Sequence, residues 1–257
     1  VSEKTGKSRK RTATGTTAEA GTAERTARAP KTAKAAKSAK SATSSRSATS
    51  PESAGTGKRE ALERYRGKRH FAKTSEPRGA DAPAGESAGF VVQIHDATTT
   101  HFDFRLEVDG VLKSWSVPKG PSADPREKRL AMPTEDHPLE YREFEGVIPS
   151  GEYGAGPVIV WDEGTYRPLS EDFAHALERG HATFWLDGGK LHGGWALTRF
   201  RGGGTHGGDE GREAWLLVKQ SDARAAREAR TPDPQRARSA LTRRTLKQVT
   251  EEDGDAD

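Results

Sequence analysis

The chain of 257 residues contains no cysteine and a single methionine, and aromatic residues make up only 7% of it. Without cysteine there are no disulfides, no thiolate metal sites and no cysteine nucleophile. No apolar run approaches the roughly 18 residues a membrane-crossing helix needs, and no apolar segment follows the basic start. The expected compartment is therefore the cytoplasm. Residues 1–50 lack Leu, Ile, Phe, Met, Trp and Tyr altogether; Val1 and alanines are their only hydrophobic side chains. They carry 12 Lys and Arg against 3 Asp and Glu, whereas the rest of the chain carries 30 against 35. The net charge of +4 thus comes from this segment and not from the body.

A segment with no large apolar side chains cannot offset the entropy lost on ordering, so residues 1–57 are expected to form a disordered basic tail. Lys31, Lys34, Lys37 and Lys40, separated by Ala, Thr and Ser, suit sequence-independent binding of nucleic acid. Such a polycation neutralises phosphates and releases their counterions.

What the body has in abundance is alternation. From His101 to Val108, His101, Asp103, Arg105 and Glu107 share one parity, and Phe102, Phe104, Leu106 and Val108 share the other. Strand side chains alternate between faces, so one face carries ligand and cation groups while the other packs into a core. Asp109-Gly110 signals a tight hairpin to 111–117. That register pairs Asp103 with Ser116 and brings Lys119 out at the His101 end. Further strands are expected at 128–133, 157–161, 165–168, 181–186, 190–200 and 213–219. Helices are expected over 58–69 and over 170–179, the latter with Ser170 as its N-cap, and 201–212 reads as a flexible loop. The expected fold is mainly β: a single antiparallel barrel of about eight strands, with one or two short flanking helices and disordered tails. The barrel is placed at 58–221 and a charged, largely disordered C-terminal tail at 222–257.

His95, His101 and Asp103 combine imidazole with carboxylate, a set that suits Mn, Fe, Zn or Ni and leaves coordination positions open. Downstream, EDHPLEYREFEGVIPSGEYGAG supplies His137, placed outside a helix by Pro138, and Tyr141. Its glycines lack the Lys-Ser/Thr of a P-loop, which excludes nucleotide binding of that type. Arg105, Arg129 and Lys119 are cations suited to phosphate. A divalent ion among such groups is what phosphoryl transfer uses, with His137, near its ordinary pKa, as a general acid.

HDATTTHFDFRLEVDGVLKSWSVPKGPS, KRLAMPTEDHPLEYREFEGVIPSGEYGAGPVIVWDEGTY and KLHGGWALTRF…EAWLLVK together resemble the 3′-phosphoesterase module of bacterial DNA ligase D, collinearly from about Arg64 to Asp222. The resemblance implies a manganese-dependent barrel enzyme that heals DNA 3′ ends in non-homologous end joining, removing a terminal ribonucleoside and then the 3′-phosphate. It implies metal ligation by His95, His101 and Asp103, and phosphate contact or catalysis by Arg105, Arg129, His137 and Tyr141, with Lys119 close by. In the N-terminal arm, KRHFAKTSEP keeps Arg69, assigned to DNA, and Glu76, assigned to catalysis, but has His70 where the family has Asp. Partners implied are DNA 3′ ends on primer–template and, in trans, an end-joining ligase, polymerase or Ku, at the bacterial nucleoid. Two other readings compete. One is a non-catalytic DNA end-binding module; the other is a non-haem iron oxygenase built on His101, Asp103 and His137.

Overall fold

The computed structural model describes residues 57–79, 88–201, 213–226 and 231–254. Nine strands form one antiparallel sheet: β1 (Gly89–Asp96), β2 (Thr100–Val108), β3 (Val111–Val117), β4 (Lys128–Pro133), β5 (Gly146–Ile148), β6 (Gly156–Pro168), β7 (His181–Gly188), β8 (His192–Arg201) and β9 (Glu213–Lys219). Their order is β1-β2-β3-β4-β9-β8-β7-β6-β5, and β1 also pairs with β6. That last pairing closes eight strands into a barrel and leaves β5 hanging from β6. Closure removes the exposed edges an open sheet of this size would present. Among the described residues the strands are accompanied by helical residues 57–61, by the short helices α1 (Glu63–Gly67), α2 (Phe173–Glu178) and α3 (Leu246–Asp253), and by a 3-10 turn (Leu139–Glu143).

The barrel interior is filled by one parity of each strand. Phe90, Val92 and Ile94 of β1 meet Phe102, Phe104 and Leu106 of β2, together with Phe184, Leu186, Trp195 and Leu217. The other parity of β1 and β2 faces outward, where Val91, Val158 and Val160 form a second cluster with Tyr65, Leu112, Tyr141, Phe144 and Ile148. The β2–β3 turn takes left-handed backbone at both Asp109 (φ 50°) and Gly110 (φ 78°), which matches the twist of the flanking strands. Asp103 lies opposite Ser116, as the turn chemistry requires.

Several boundaries differ from the sequence reading. Residues 157–161 and 165–168 belong to one long strand, β6. The cap of α2 is Asp172, whose Oδ1 accepts from the His175 amide at 3.3 Å, and not Ser170, which instead hydrogen-bonds Thr183. The loop over 202–212 and the tail lysines Lys31, Lys34, Lys37 and Lys40 lie outside the described residues.

The largest correction concerns the C-terminal segment, expected to be largely disordered over 222–257. Leu246 and Val249 are buried in the barrel's own core cluster, along with Ala237, and the Ala240 amide donates to the Val160 carbonyl at 2.7 Å. A capping box starts α3: the Gln248 amide donates to Thr245 Oγ1 at 3.3 Å, and the Thr245 amide donates to Gln248 Oε1 at 3.0 Å. Few apolar residues among many charges hid this element, yet those few are almost fully enclosed. Leu246→Ala should therefore cost about 2–5 kcal/mol in denaturant unfolding; an unchanged midpoint would show the segment to be dispensable.

Candidate active site

The site is built on the outer face of β1 and β2. Antiparallel register sets His95 opposite His101, Gln93 opposite Asp103 and Val91 opposite Arg105, and directly opposed residues share a face. A third strand-like run is fastened alongside: the Leu112 amide donates to the His137 carbonyl at 2.8 Å and the His137 amide to the Leu112 carbonyl at 3.0 Å. Pro138 keeps that run extended. His95, His101, Asp103, Arg105, His137 and Tyr141 thereby line one cavity of about 270 Å³.

His95, His101 and Asp103 each offer a ligand atom within 4.8 Å of the others. His101 Nε2 lies 3.4 Å from Asp103 Oδ1, and His95 Nδ1 lies 3.8 Å from Asp103 Oδ2. Ligands held about 2.0–2.2 Å from a common ion stand roughly 3–3.5 Å apart, so little movement brings these three onto one centre. The imidazoles are also set for it. His101 Nδ1 donates to the Thr99 carbonyl at 2.8 Å, and His95 Nε2 donates to the Gly154 carbonyl at 2.7 Å. Each ring thus spends its N–H on a backbone oxygen and turns a lone pair towards Asp103, the outer arrangement typical of metal-ligating histidines. The donor set fits a divalent ion with open positions.

Arg105 organises the other half. Its Nε donates to Gln93 Oε1 at 2.8 Å and its Nη2 to Asp103 Oδ2 at 2.9 Å, while Nη1 stands 2.9 Å from His137 Nδ1. Arg69, expected as a DNA contact on the arm, has its side chain buried beside it. Its Nε donates to Glu76 Oε1 at 2.8 Å, its Nη1 to Glu135 Oε1 at 3.1 Å and to the Tyr65 carbonyl at 3.0 Å, and its Nη2 stands 3.3 Å from His137 Nε2. A guanidinium has five N–H donors. Among the described residues these contacts leave N–H groups on both guanidiniums for the oxygens of an anion.

Glu76 stands behind the cavity, where it accepts from Arg69, from Thr74 Oγ1 at 3.0 Å and from Tyr141 Oη at 3.0 Å. It orients the groups that face the cavity and does not face it itself. Lys119 and Arg129 are not in the cavity at all. They line a separate groove of about 690 Å³ with Phe102, whose side chain lies on the opposite face of β2 from His101 and Asp103. β3 ends at Val117, the partner of Phe102, so the chain leaves the hairpin on that side. Arg129 there pairs with Glu127 and Thr231. The trio of His101, Asp103 and His137 that an iron oxygenase would use does not form either, because both His137 nitrogens face guanidinium groups.

The charges are fixed by burial and by neighbours. Burial disfavours the Asp103 carboxylate, but Arg105 beside it and the two histidines outweigh that and hold its pKa well below the usual carboxylate range. His101 is raised above its ordinary value, burial being overcome by Asp103 and the Thr99 carbonyl. His137 moves the other way: burial, then the positive charges of Arg105 and Arg69, hold it well below its ordinary value. It is therefore neutral at physiological pH, and the general acid expected near its usual pKa is not present in this arrangement. The tautomer that satisfies most partners donates Nδ1–H to the Glu135 carbonyl at 2.8 Å and accepts from Arg69 at Nε2. Burial, then Glu76, pushes the Tyr141 hydroxyl well above its ordinary value, so it stays protonated.

Sequence reasoning missed Gln93 and Glu135. Both were findable, since each lies two residues before a selected histidine in an extended run and therefore on the same face. Nothing in the sequence singles out the Gly154 carbonyl.

The depressed His137 pKa has a definite sign. The neutral ring stabilises the fold above the unfolded-state value of about 6.5, and this contribution is lost as pH falls below it towards the folded value. Nitrogen-detected NMR should find His137 neutral throughout a titration from pH 8 to about 6; a midpoint within that range would contradict the arrangement.

Residues 93–199 match the family model described as the DNA Ligase D 3′-phosphoesterase domain. The chain is 49% identical over 193 residues to the multifunctional non-homologous end joining protein LigD of Pseudomonas aeruginosa, covering 72% of this chain and 22% of that protein. It is 49% identical over 144 residues to the multifunctional non-homologous end joining DNA repair protein LigD of Mycobacterium tuberculosis, covering 56% and 19%. With the LigD of Mycolicibacterium smegmatis it shares 38% identity over 174 residues, covering 65% and 22%. The chain thus spans about a fifth of the length of the curated relatives it matches. In the described barrel and its outer-face cavity, the chain carries a domain of the DNA ligase D 3′-phosphoesterase family.

Proposed function

We propose that this protein is a divalent-metal-dependent phosphoesterase that removes a 3′-phosphate, a 3′-terminal ribonucleoside, or both from DNA ends, leaving 3′-OH for non-homologous end joining. The observation that carries the reading is the convergence, in one cavity, of three metal-type donors and two buried guanidiniums with donors to spare. His95, His101 and Asp103 would hold the ion; their mixed imidazole and carboxylate set accommodates manganese, the metal the family resemblance implies. When bound, that ion supplies Lewis-acid polarisation of a phosphoryl oxygen and an oriented water.

The remaining work falls to the chain's own side chains. Arg105 and Arg69 present their free N–H groups to the non-bridging oxygens and stabilise the charge that develops there. Gln93, Asp103, Glu76 and Glu135 hold both guanidiniums in place beforehand, so little reorganisation accompanies the reaction. An arriving phosphate offsets the two positive charges that keep His137 neutral and raises its pKa. His137 would then take up a proton from solvent and pass it to the oxygen that leaves phosphorus. Tyr141, protonated and directed by Glu76, lines the cavity as a further wall and hydrogen-bonding group. The basic residues of the tail, among them Lys31, Lys34, Lys37 and Lys40, would hold the duplex through its backbone, with ligase, polymerase or Ku as partners in end joining.

Incubation with manganese and a primer–template ending in 3′-phosphate or one ribonucleotide should yield 3′-OH. No product at either end, with metal confirmed bound, would defeat the proposal. Asp103→Ala should abolish turnover and lower metal affinity while DNA binding persists, because phosphate contacts come from cations. Retained turnover would remove Asp103 from the metal centre, and a protein that binds ends but never turns over would be a binding module. Arg105→Lys should lower kcat by about 10²–10³-fold, since a lysine cannot serve three partners and an anion at once. Deleting residues 1–50 should weaken DNA affinity and flatten its salt dependence; an unchanged salt slope would assign the tail another purpose.

A further inference from the structure

Among the described residues, four large hydrophobic side chains are exposed, and Tyr153 is the only aromatic one, with 50% of its surface open. It lies on the wall of the active cavity. No core needs it there, and solvation alone does not call for an aromatic ring. Its setting is nevertheless ordered. Lys68 Nζ sits 4.2 Å from the ring centroid and donates to Tyr153 Oη at 3.0 Å, and the Arg69 guanidinium is 5.9 Å from the ring. The residues on either side are tied as well. Glu152 pairs with His70 of the N-terminal arm at 2.9 Å, and Gly154 accepts from His95. One flank of the ring is thus bordered by cations, the backbone is pinned at both neighbours, and much of the ring surface is free.

A flat, anchored aromatic surface at the mouth of a phosphate cavity suits one occupant. A terminal nucleotide whose 3′-phosphate enters the cavity must place its own sugar and base within one nucleotide's length of the rim. Every nucleobase offers a π-face, so stacking there grips an end without reading its sequence, and a neighbouring cation strengthens such platforms. Resting on the end-processing reading above, we infer that Tyr153 is the stacking platform for the 3′-terminal nucleobase. It makes the site selective for nucleotide ends over bare phosphoesters. Lys68 holds the ring in place through its hydroxyl and adds a cation beside the stacked base.

The test pairs the tyrosine with the base. Wild type, Tyr153→Ala and Tyr153→Phe, each as the full chain, are compared on primer–templates ending in 3′-phosphate. One carries the terminal base and the other a tetrahydrofuran abasic residue. Kd is read by fluorescence anisotropy at salt high enough to screen the tail, and KM and kcat are read with manganese. Tyr153→Ala should weaken Kd and KM by roughly 5- to 150-fold more at the base-bearing end than at the abasic end, the range of one lost base stack. Tyr153→Phe, which keeps the ring and loses the hydroxyl, should retain most of the wild-type preference for the base. Equal losses at the two ends would overturn the inference, as would Phe behaving like Ala. Because the anisotropy measurement requires no turnover, absence of product from every protein would refute the phosphoesterase reading while the Kd comparison still decides the role of Tyr153.

Discussion

A buried guanidinium holds this structure to its purpose. Arg105 is 2% exposed and would be strongly destabilising there without partners. Gln93, Asp103 and the region of His137 supply them, so the strand carrying a metal donor, its neighbour and the run beside β3 are drawn to one point. The same cation sets the protonation states around it. It keeps Asp103 ionised, and it helps to keep His137 neutral. Gln93 is oriented in turn by donating to the carbonyls of Tyr141 and Phe144, each at 3.0 Å, which extends the constraint into the 3-10 turn.

Because the site lies on the outside of the barrel, its walls come from segments that are not barrel strands. The arm around Arg69, the 135–141 run and the loop before β6 stand over the outer face of β1 and β2, and the second apolar cluster joins them to it through Tyr65, Tyr141, Phe144 and Ile148. The inner face is given wholly to packing. By this division the inward parity of β1 and β2 serves packing, while the outward parity carries the cavity's polar groups beside Val91 of the second cluster.

That parity is why so much was legible beforehand. His101, Asp103 and Arg105 alternate with Phe102, Phe104 and Leu106, and Asp109-Gly110 fixes the hairpin register, so the gathering of ligand-type side chains and the strand faces follow from local pattern. Lys119 lies off the cavity because proximity in sequence to the hairpin end says nothing about which side of the sheet the chain leaves on; the pairing of Val117 with inward-facing Phe102 decides that, and Arg129, singled out as a cation and by resemblance, lines the same separate groove. Arg69 was assigned to DNA and Glu76 to catalysis from the resemblance of the arm, which does not reveal that they are buried against each other and that one supports the other. The altered environment of His137 was invisible for the same reason: its two guanidinium neighbours lie 32 and 68 residues away. Helix α3 escaped notice because its apolar face is only Leu246 and Val249, although the Thr245-x-x-Gln248 signature was there to read.

The carbonyl of Gly154 gives the loop before β6 an unexpected reach. It fixes which nitrogen of His95 is free, and a side chain there would crowd the imidazole, since a Cβ would lie 3.3 Å from His95 Cε1. The backbone is left-handed at this point (φ +78°), so glycine is favoured on both counts. Any swing of the loop that carries the rim away from the barrel also withdraws the acceptor that orients the imidazole. Were His95 to hold an ion, the direction of its lone pair and the posture of the entrance would be set by the same backbone carbonyl.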